Sequence, residues 1–374
     1  MDNLYDVIKN SADTNGLPVM DTNQFITVTE KYGKEEFRKV LIDYTNREVM
    51  EKYDDYKYPY SEYGLGVIDG PSSYNYVSDS FMNELRMDCG SYGFKSPIER
   101  WNTGEDLSVP FGGIWRNINT EQKLDKSVYI TAFRLATYIA TQFKPIVAKT
   151  IYELCNAKTV LDTSMGWGDR LTAFYASNAT HYIGCDPNPN TFARYQDMIK
   201  FYDKLTGGKK TTQLYRCGAE DLPWNEIENV DCAFTSPPYF STERYNEGGE
   251  HQEDQSWSKY NTYEKWRDDF YLPVAEKSFQ SLNENGVLMV NIFDPKIKNK
   301  RYYSSDELVN SLKDFFIGQI GMRIMQRPKG NLDKKEQKEF MNRGYIENVW
   351  CFSKNKDIDL FEHTRSSTLE EFLC

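Results

Sequence analysis

The chain has 374 residues, a net charge of −11 and 27% charged residues. That length holds a large catalytic domain plus an extension. The absence of any apolar run of 18 or more residues argues against a membrane span. The acidic balance excludes nucleic-acid binding by the whole surface and leaves room for a local basic face.

The N-terminus, Met1-Asp2-Asn3-Leu4-Tyr5-Asp6, lacks the basic-then-apolar start of a secretion signal. The cysteines, Cys89, Cys155, Cys185, Cys217, Cys232, Cys351 and Cys374, are scattered and never spaced Cys-x-x-Cys. Reduced thiols in a cytoplasmic compartment are expected. With only His181, His251 and His363 beside them, no metal site is expected.

Residues 1–125 read as an accessory region, a substrate clamp or recognition element. A helix is expected over Lys34–Lys52, where Phe37, Leu41, Tyr44 and Val49 keep rough helical spacing. Asp54–Gly113, rich in Gly, Pro, Ser and Tyr, should form loops and short strands. The tyrosines Tyr53, Tyr56, Tyr58, Tyr60 and Tyr63 read as packed residues with hydroxyls at the surface. Residues 126–356 read as the catalytic domain, and 357–374 as a polar tail.

In that domain Val128–Phe143 is expected to be a helix, broken at Lys144-Pro145, with Pro145 opening the next helix to about Cys155. Strands are expected at Thr159–Asp162, Tyr182–Asp186, Thr212–Cys217, Cys232–Thr235 and Val287–Ile292. Helices are expected at Asp169–Ala176, Pro189–Leu205, Thr262–Leu282 (kinked at Pro273) and Asp306–Phe316. Gly321–Gln326 and Ile346–Phe352 are expected to pair as an edge hairpin. Such alternation predicts an α/β fold with an open, mostly parallel sheet and helices on both faces.

The chemistry gathers at strand ends. The first strand runs into Asp162-Thr163-Ser164-Met165-Gly166-Trp167-Gly168, an acid followed by a Gly-x-Gly turn and a helix. That arrangement forms a cofactor pocket, with Asp162 placed for a cationic amine and the glycines allowing close backbone approach. Leu171 replaces the third glycine of a dinucleotide fingerprint, and no phosphate loop is present. Asp186, followed by Pro187, stands about 20 residues on, the distance of a ribose-binding acid, though it also suits capping the next helix. Glu220 or Asp221 suits an adenine amine or a solvated turn equally.

The fourth strand ends in Ser236-Pro237-Pro238-Tyr239. Two prolines lack N–H groups and fix φ, so they make a stiff turn rather than a continued strand. A polar side chain, carbonyls that no ladder uses and a flat ring beside them suit a planar, amine-bearing ring.

With these four strand ends together, residues 126–356 resemble the S-adenosylmethionine-dependent amino-methyltransferases that act on DNA bases. The resemblance implies a class I methyltransferase sheet, S-adenosyl-L-methionine as cofactor and Ser236–Tyr239 as the catalytic turn. Thr-Ser-Pro-Pro-Tyr is most similar to the version in enzymes methylating N4 of cytosine; those acting on N6 of adenine more often carry Asp or Asn at the serine position. Thr163-Ser164 and Gly218 depart from the family pattern around the cofactor. Adenine-N6 methylation on DNA or RNA is the nearest alternative, followed by protein-glutamine methylation and a binding scaffold without catalysis.

Phosphate contact is expected from Lys296, Lys298, Lys300, Arg301, Arg327, Lys329, Lys334, Lys335, Lys338 and Arg343, in a stretch where bases outnumber acids. The loop Ser241–Tyr260 reads either as a lid over the site or as a plain surface loop. Nothing in the pattern distinguishes a monomer from a homodimer.

Overall fold

Val160, Cys232, Phe234, Val287 and Met289 are buried on one side of a sheet; Leu161, Ala233, Leu288 and Val290 are buried on the other. Successive side chains of a strand point to opposite faces, so strands apolar at every position need cover on both. The computed structural model describes residues 49–50, 64–69, 75–99 except 92 and 98, 139–324 and 345–360.

The strands are β1 (Val49–Met50), β2 (Gly64–Asp69), β3 (Thr159–Asp162), β4 (His181–Cys185), β5 (Thr211–Tyr215), β6 (Val230–Thr235), β7 (Leu282–Asn291), β8 (Lys296–Ile297), β9 (Lys300–Arg301), β10 (Phe316–Ile324) and β11 (Tyr345–Ser353). The main sheet has the order β1-β2-β10-β11-β7-β6-β3-β4-β5. Neighbours from β7 to β5 are parallel, and β11 runs antiparallel between β7 and β10. This is an open, mostly parallel Rossmann-like α/β sheet with one antiparallel strand between β7 and β10.

The helices are α1 (Tyr76–Met87), α2 (Pro145–Leu154), α3 (Asp169–Ala176), α4 (Pro189–Thr206), α5 (Ser256–Lys259), α6 (Tyr263–Trp266), α7 (Leu272–Gln280) and α8 (Ser304–Ser311). Phe81, Ile151, Phe174 and Met198 bring α1 to α4 onto one face. Trp266, Val274 and Leu308 bring α6 to α8 onto the other.

Several expectations change. The Asp306–Phe316 helix runs over Ser304–Ser311 instead, and Phe316 opens β10. The Val128–Phe143 helix does not reach Phe143: residues 139–144 have no regular structure, and 128–138 lie outside the described residues. Lys144 is extended, as a residue before proline prefers, and the Phe143 N–H donates to Asp169 rather than to a helical carbonyl. The Thr262–Leu282 helix is divided into α6, a π-turn at Arg267–Tyr271 and α7, which lets Pro273 sit in a new first turn; Leu282 already belongs to β7. The β10–β11 pair exists but is not the sheet edge, because β2 pairs parallel with β10 and β1 pairs with β2. The Lys34–Lys52 helix and the tyrosine cluster fall outside the described residues, apart from β1.

Candidate active site

From β3 the chain winds outward through β4 and β5, then returns to β6 and β7 on the other side of β3. Open α/β sheets bind ligands at such a switch point, outside the carboxyl ends of the strands. Asp162, Asp186 and Ser236 all stand on this rim.

Asp162 is fully buried. Expected to face a cationic amine, it is instead held by the chain's own groups: Arg170 Nε donates to it at 2.9 Å and the Tyr182 hydroxyl at 2.6 Å. A carboxylate without water needs a cation and hydrogen bonds, and the α3 side chain eight residues on supplies both. The other oxygen accepts the Ser164 N–H at 3.1 Å. Arg170 also donates to the Ser164 carbonyl, and Ser164 Oγ donates to the Ser236 carbonyl at 2.9 Å. Asp162 thus joins the Gly-x-Gly turn to the Ser-Pro-Pro-Tyr turn through Arg170 and Ser164.

Thr163 is buried against Thr235, with Oγ1 atoms 3.0 Å apart. Met165 is core, packed beneath Gly184. Gly168 has φ +74° and caps α3, and a Cβ there would meet the Met198 sulfur at 2.7 Å. Gly166 has φ +55°, and a Cβ there would meet only the Ser164 carbonyl oxygen, at 3.8 Å, so the bare backbone can lie close to a ligand.

Gly166, Trp167, Asp186, Asn188 and Thr191 line a cavity whose far wall is Leu85, Cys89, Tyr245 and Asn246. The loop after the Ser-Pro-Pro-Tyr turn therefore forms one wall of this cavity. Its cover is tied down: the Asn246 N–H donates to the Gly90 carbonyl at 3.0 Å, and Trp167 meets Tyr245 edge-on at 5.9 Å. Pro187, Gly218 and Asp221 line a second cavity with Arg216, His251 and Lys259. Glu220 accepts from Lys259 Nζ at 3.0 Å and the Tyr260 hydroxyl at 3.1 Å, while its Oε2 is buried without a hydrogen-bond partner among the described residues.

Asp186 accepts the Gly166 N–H at 2.9 Å, the Asn188 N–H at 3.0 Å and the Thr191 hydroxyl at 3.0 Å. Burial outweighs these donors and pushes its pKa up to about 6. Between about 4 and 6 the folded state holds a proton that the unfolded state releases, so this group lowers stability as pH rises through that window. Ligand hydroxyls need the carboxylate, so cofactor affinity should move the opposite way. Affinity is expected to fall about tenfold from pH 7.5 to pH 5, one unit below the pKa. Calorimetric titration of S-adenosylhomocysteine checks this; an equally steep fall in Asp186→Asn would assign the effect elsewhere.

At the catalytic turn the carbonyls divide clearly. Ser236 O accepts from Ser164, Pro238 O accepts the Phe240 N–H at 2.8 Å, and Tyr239 O accepts from Thr242. Pro237 O accepts no hydrogen bond among the described residues. Tyr239 is buried, and its ring lies 4.5 Å from that of Phe293 at 78°. Its hydroxyl donates to Asn291 Oδ1 at 2.8 Å, as Ser236 Oγ does at 3.1 Å. Glu243 accepts from the Tyr245 hydroxyl at 2.9 Å, and burial raises its pKa.

Sequence reasoning missed Arg170, Glu243, Asn291 and Phe293. Asn291 had a signal: an amide interrupting the apolar run Val287–Ile292 at the strand end nearest the other functional residues.

Residues 230–370 match the N6/N4 DNA methylase family. The DNA methylase match takes in the Ser-Pro-Pro-Tyr turn and starts after Asp162 and Asp186. No curated protein matches the chain. Among solved structures, an rRNA methylase from Streptococcus thermophilus is 14% identical, with 58% of this chain and 100% of that chain covered and a TM-score of 0.33. An S-adenosylmethionine-dependent O-methyltransferase from Thermotoga maritima is 12% identical, covering 59% and 69% at a TM-score of 0.35. A Streptococcus mutans protein in complex with SAH is 14% identical, covering 57% and 99% at 0.34.

The cofactor of DNA methylases is S-adenosylmethionine, and the rim suits it. Gly166 leaves room for close approach, Asp186 presents a carboxylate to the cavity, and the orphaned Glu220 Oε2 awaits a donor.

Proposed function

We propose that this protein transfers a methyl group from S-adenosylmethionine to the exocyclic N4 amine of cytosine in DNA. The observation that carries the reading is the pairing of Ser236 Oγ with the Pro237 carbonyl, the turn carbonyl that accepts no hydrogen bond among the described residues. Two acceptors on a rigid turn match the two N–H groups of an aryl amine.

Asp186, Gly166 and Glu220 would hold the cofactor, which supplies an electrophilic methyl group when bound. Ser236 and Pro237 accept the amine N–H groups and draw its lone pair out of conjugation. Tyr239 and Phe293 form an aromatic corner for an extruded base. No cysteine nucleophile is required: Cys232 is buried in β6, where burial raises its thiol pKa. Positioning and electrostatics carry the step. The serine heading the turn favours cytosine, by its likeness to the N4-type motif.

A mass-spectrometric digest of DNA co-expressed with the protein tests the reading. N4-methylcytosine is the expected product, N6-methyladenine would move the target, and neither would remove the reading.

DNA contact is assigned to the β8–β9 hairpin. Lys298 and Asn299 form its two-residue turn, both with positive φ, as a tight hairpin requires. Tyr302 packs on Tyr263 at 4.2 Å and lies 6.3 Å from Phe240, next to the catalytic tyrosine. Lys296, Lys298, Lys300 and Arg301 are exposed there. Arg327, Lys329, Lys334, Lys335, Lys338 and Arg343 fall outside the described residues. Changing Lys296, Lys298 and Lys300 to Gln is expected to weaken binding of all sequences alike. It should also flatten the slope of log K against log salt by about 0.9 for each phosphate that is no longer neutralised. Fluorescence anisotropy across salt concentrations reads this; an unchanged slope removes the hairpin from the interface.

A further inference from the structure

Asn291 stands at the end of β7, buried, with every polar atom of its amide engaged. Its Nδ2 donates to the Asn348 carbonyl of β11 at 3.1 Å. A backbone carbonyl only accepts, so this contact fixes which end of the amide is nitrogen. The opposite end, Oδ1, must then face Ser236 and Tyr239, at 3.1 and 2.8 Å.

An amide oxygen accepts and never donates, so each hydroxyl can direct its single proton toward it. Ser236 Oγ and the Tyr239 hydroxyl oxygen also lie 3.1 Å apart, in a contact where either can donate, so the Ser236 proton goes to Asn291 or to Tyr239 and not to a ligand. Ser236 is half-buried at the rim, and what it offers a ligand is lone pairs. Without Asn291 either hydroxyl could rotate and donate. We infer that Asn291 is a positioning residue that makes Ser236 an obligate acceptor, so that the site takes an amino-bearing base and rejects its oxo counterpart. This rests on the proposed amine methylation and adds to it the origin of base discrimination. An oxo oxygen would meet oxygen lone pairs, and a buried acceptor left without a donor is costly.

The test uses the full chain with S-adenosylhomocysteine and four probes: the 5′-monophosphates of cytidine, uridine, adenosine and inosine. Calorimetry is expected to show the wild type favouring each amino nucleotide over its oxo partner by at least about tenfold. Asn291→Leu keeps the volume without the acceptor, and should reduce that preference to below about threefold. Asn291→Asp keeps an oxygen facing both hydroxyls, and should keep the preference. Retention of the preference in Asn291→Leu, its loss in Asn291→Asp as complete as in Asn291→Leu, or its absence from the wild type would each overturn the inference. Methyl transfer to DNA is followed in parallel by mass spectrometry. A wild type that discriminates yet transfers nothing would sink the methylation reading and leave Asn291 standing. A wild type that transfers, with Asn291→Leu unchanged in kcat and in preference, would sink Asn291 alone.

Discussion

Ser236→Ala is expected to lower kcat for methyl transfer about 10²–10³-fold, the usual effect of removing one preorganised polar group from the reacting centre. Cofactor affinity should stay within about twofold, because Gly166 and Asp186 belong to other strand ends. The fold should survive, since the Ser236 carbonyl, which receives Ser164 Oγ, is untouched. Tyr239→Phe removes only a hydroxyl bound to the same amide oxygen and should cost less. Single-turnover rates with saturating cofactor separate these effects. A Ser236→Ala enzyme within about threefold of wild type would show that the turn does not hold the amine.

Arg170→Met is expected to destabilise the protein by about 3–5 kcal/mol, the cost of breaking a buried pair from one side. Asp162 has no solvent exposure, and the Arg170 side chain is only 5% exposed, so water cannot replace the missing cation. The guanidinium also lies 5.5 Å from the Phe143 ring and holds the Ser164 carbonyl. Cofactor affinity should therefore fall with stability, as the turn that carries Gly166 loses its anchor. The double variant Asp162→Asn, Arg170→Met removes both charges. It should recover a large part of the loss, because the uncompensated carboxylate is gone. Urea unfolding measures both. If the double variant is less stable than Arg170→Met alone, the pair is not the source of the cost.

These two expectations place Asp162 and Ser236 in different roles on one rim. Asp162 holds two turns in register; Ser236 meets the substrate. A change at the first should lower stability and binding together, whereas a change at the second should lower kcat alone.

Much of this was written locally in the chain. Apolar residues at every position of Val160–Leu161, Cys232–Phe234 and Val287–Val290 required a sheet covered on both faces, and Gly166, Gly168 and the Pro237-Pro238 pair fixed where its strands stop. Strand alternation and turn chemistry act over a few residues, so they can be read directly. Partners cannot. Which cation neutralises Asp162, which strand turns the Asn291 amide and which element covers the β10 edge depend on contacts between residues up to hundreds of positions apart. An acid at a strand tip looks the same whether it waits for a ligand or already holds an arginine. Burial and hydrogen-bond geometry separate the two, and both exist only once the sheet has closed around them.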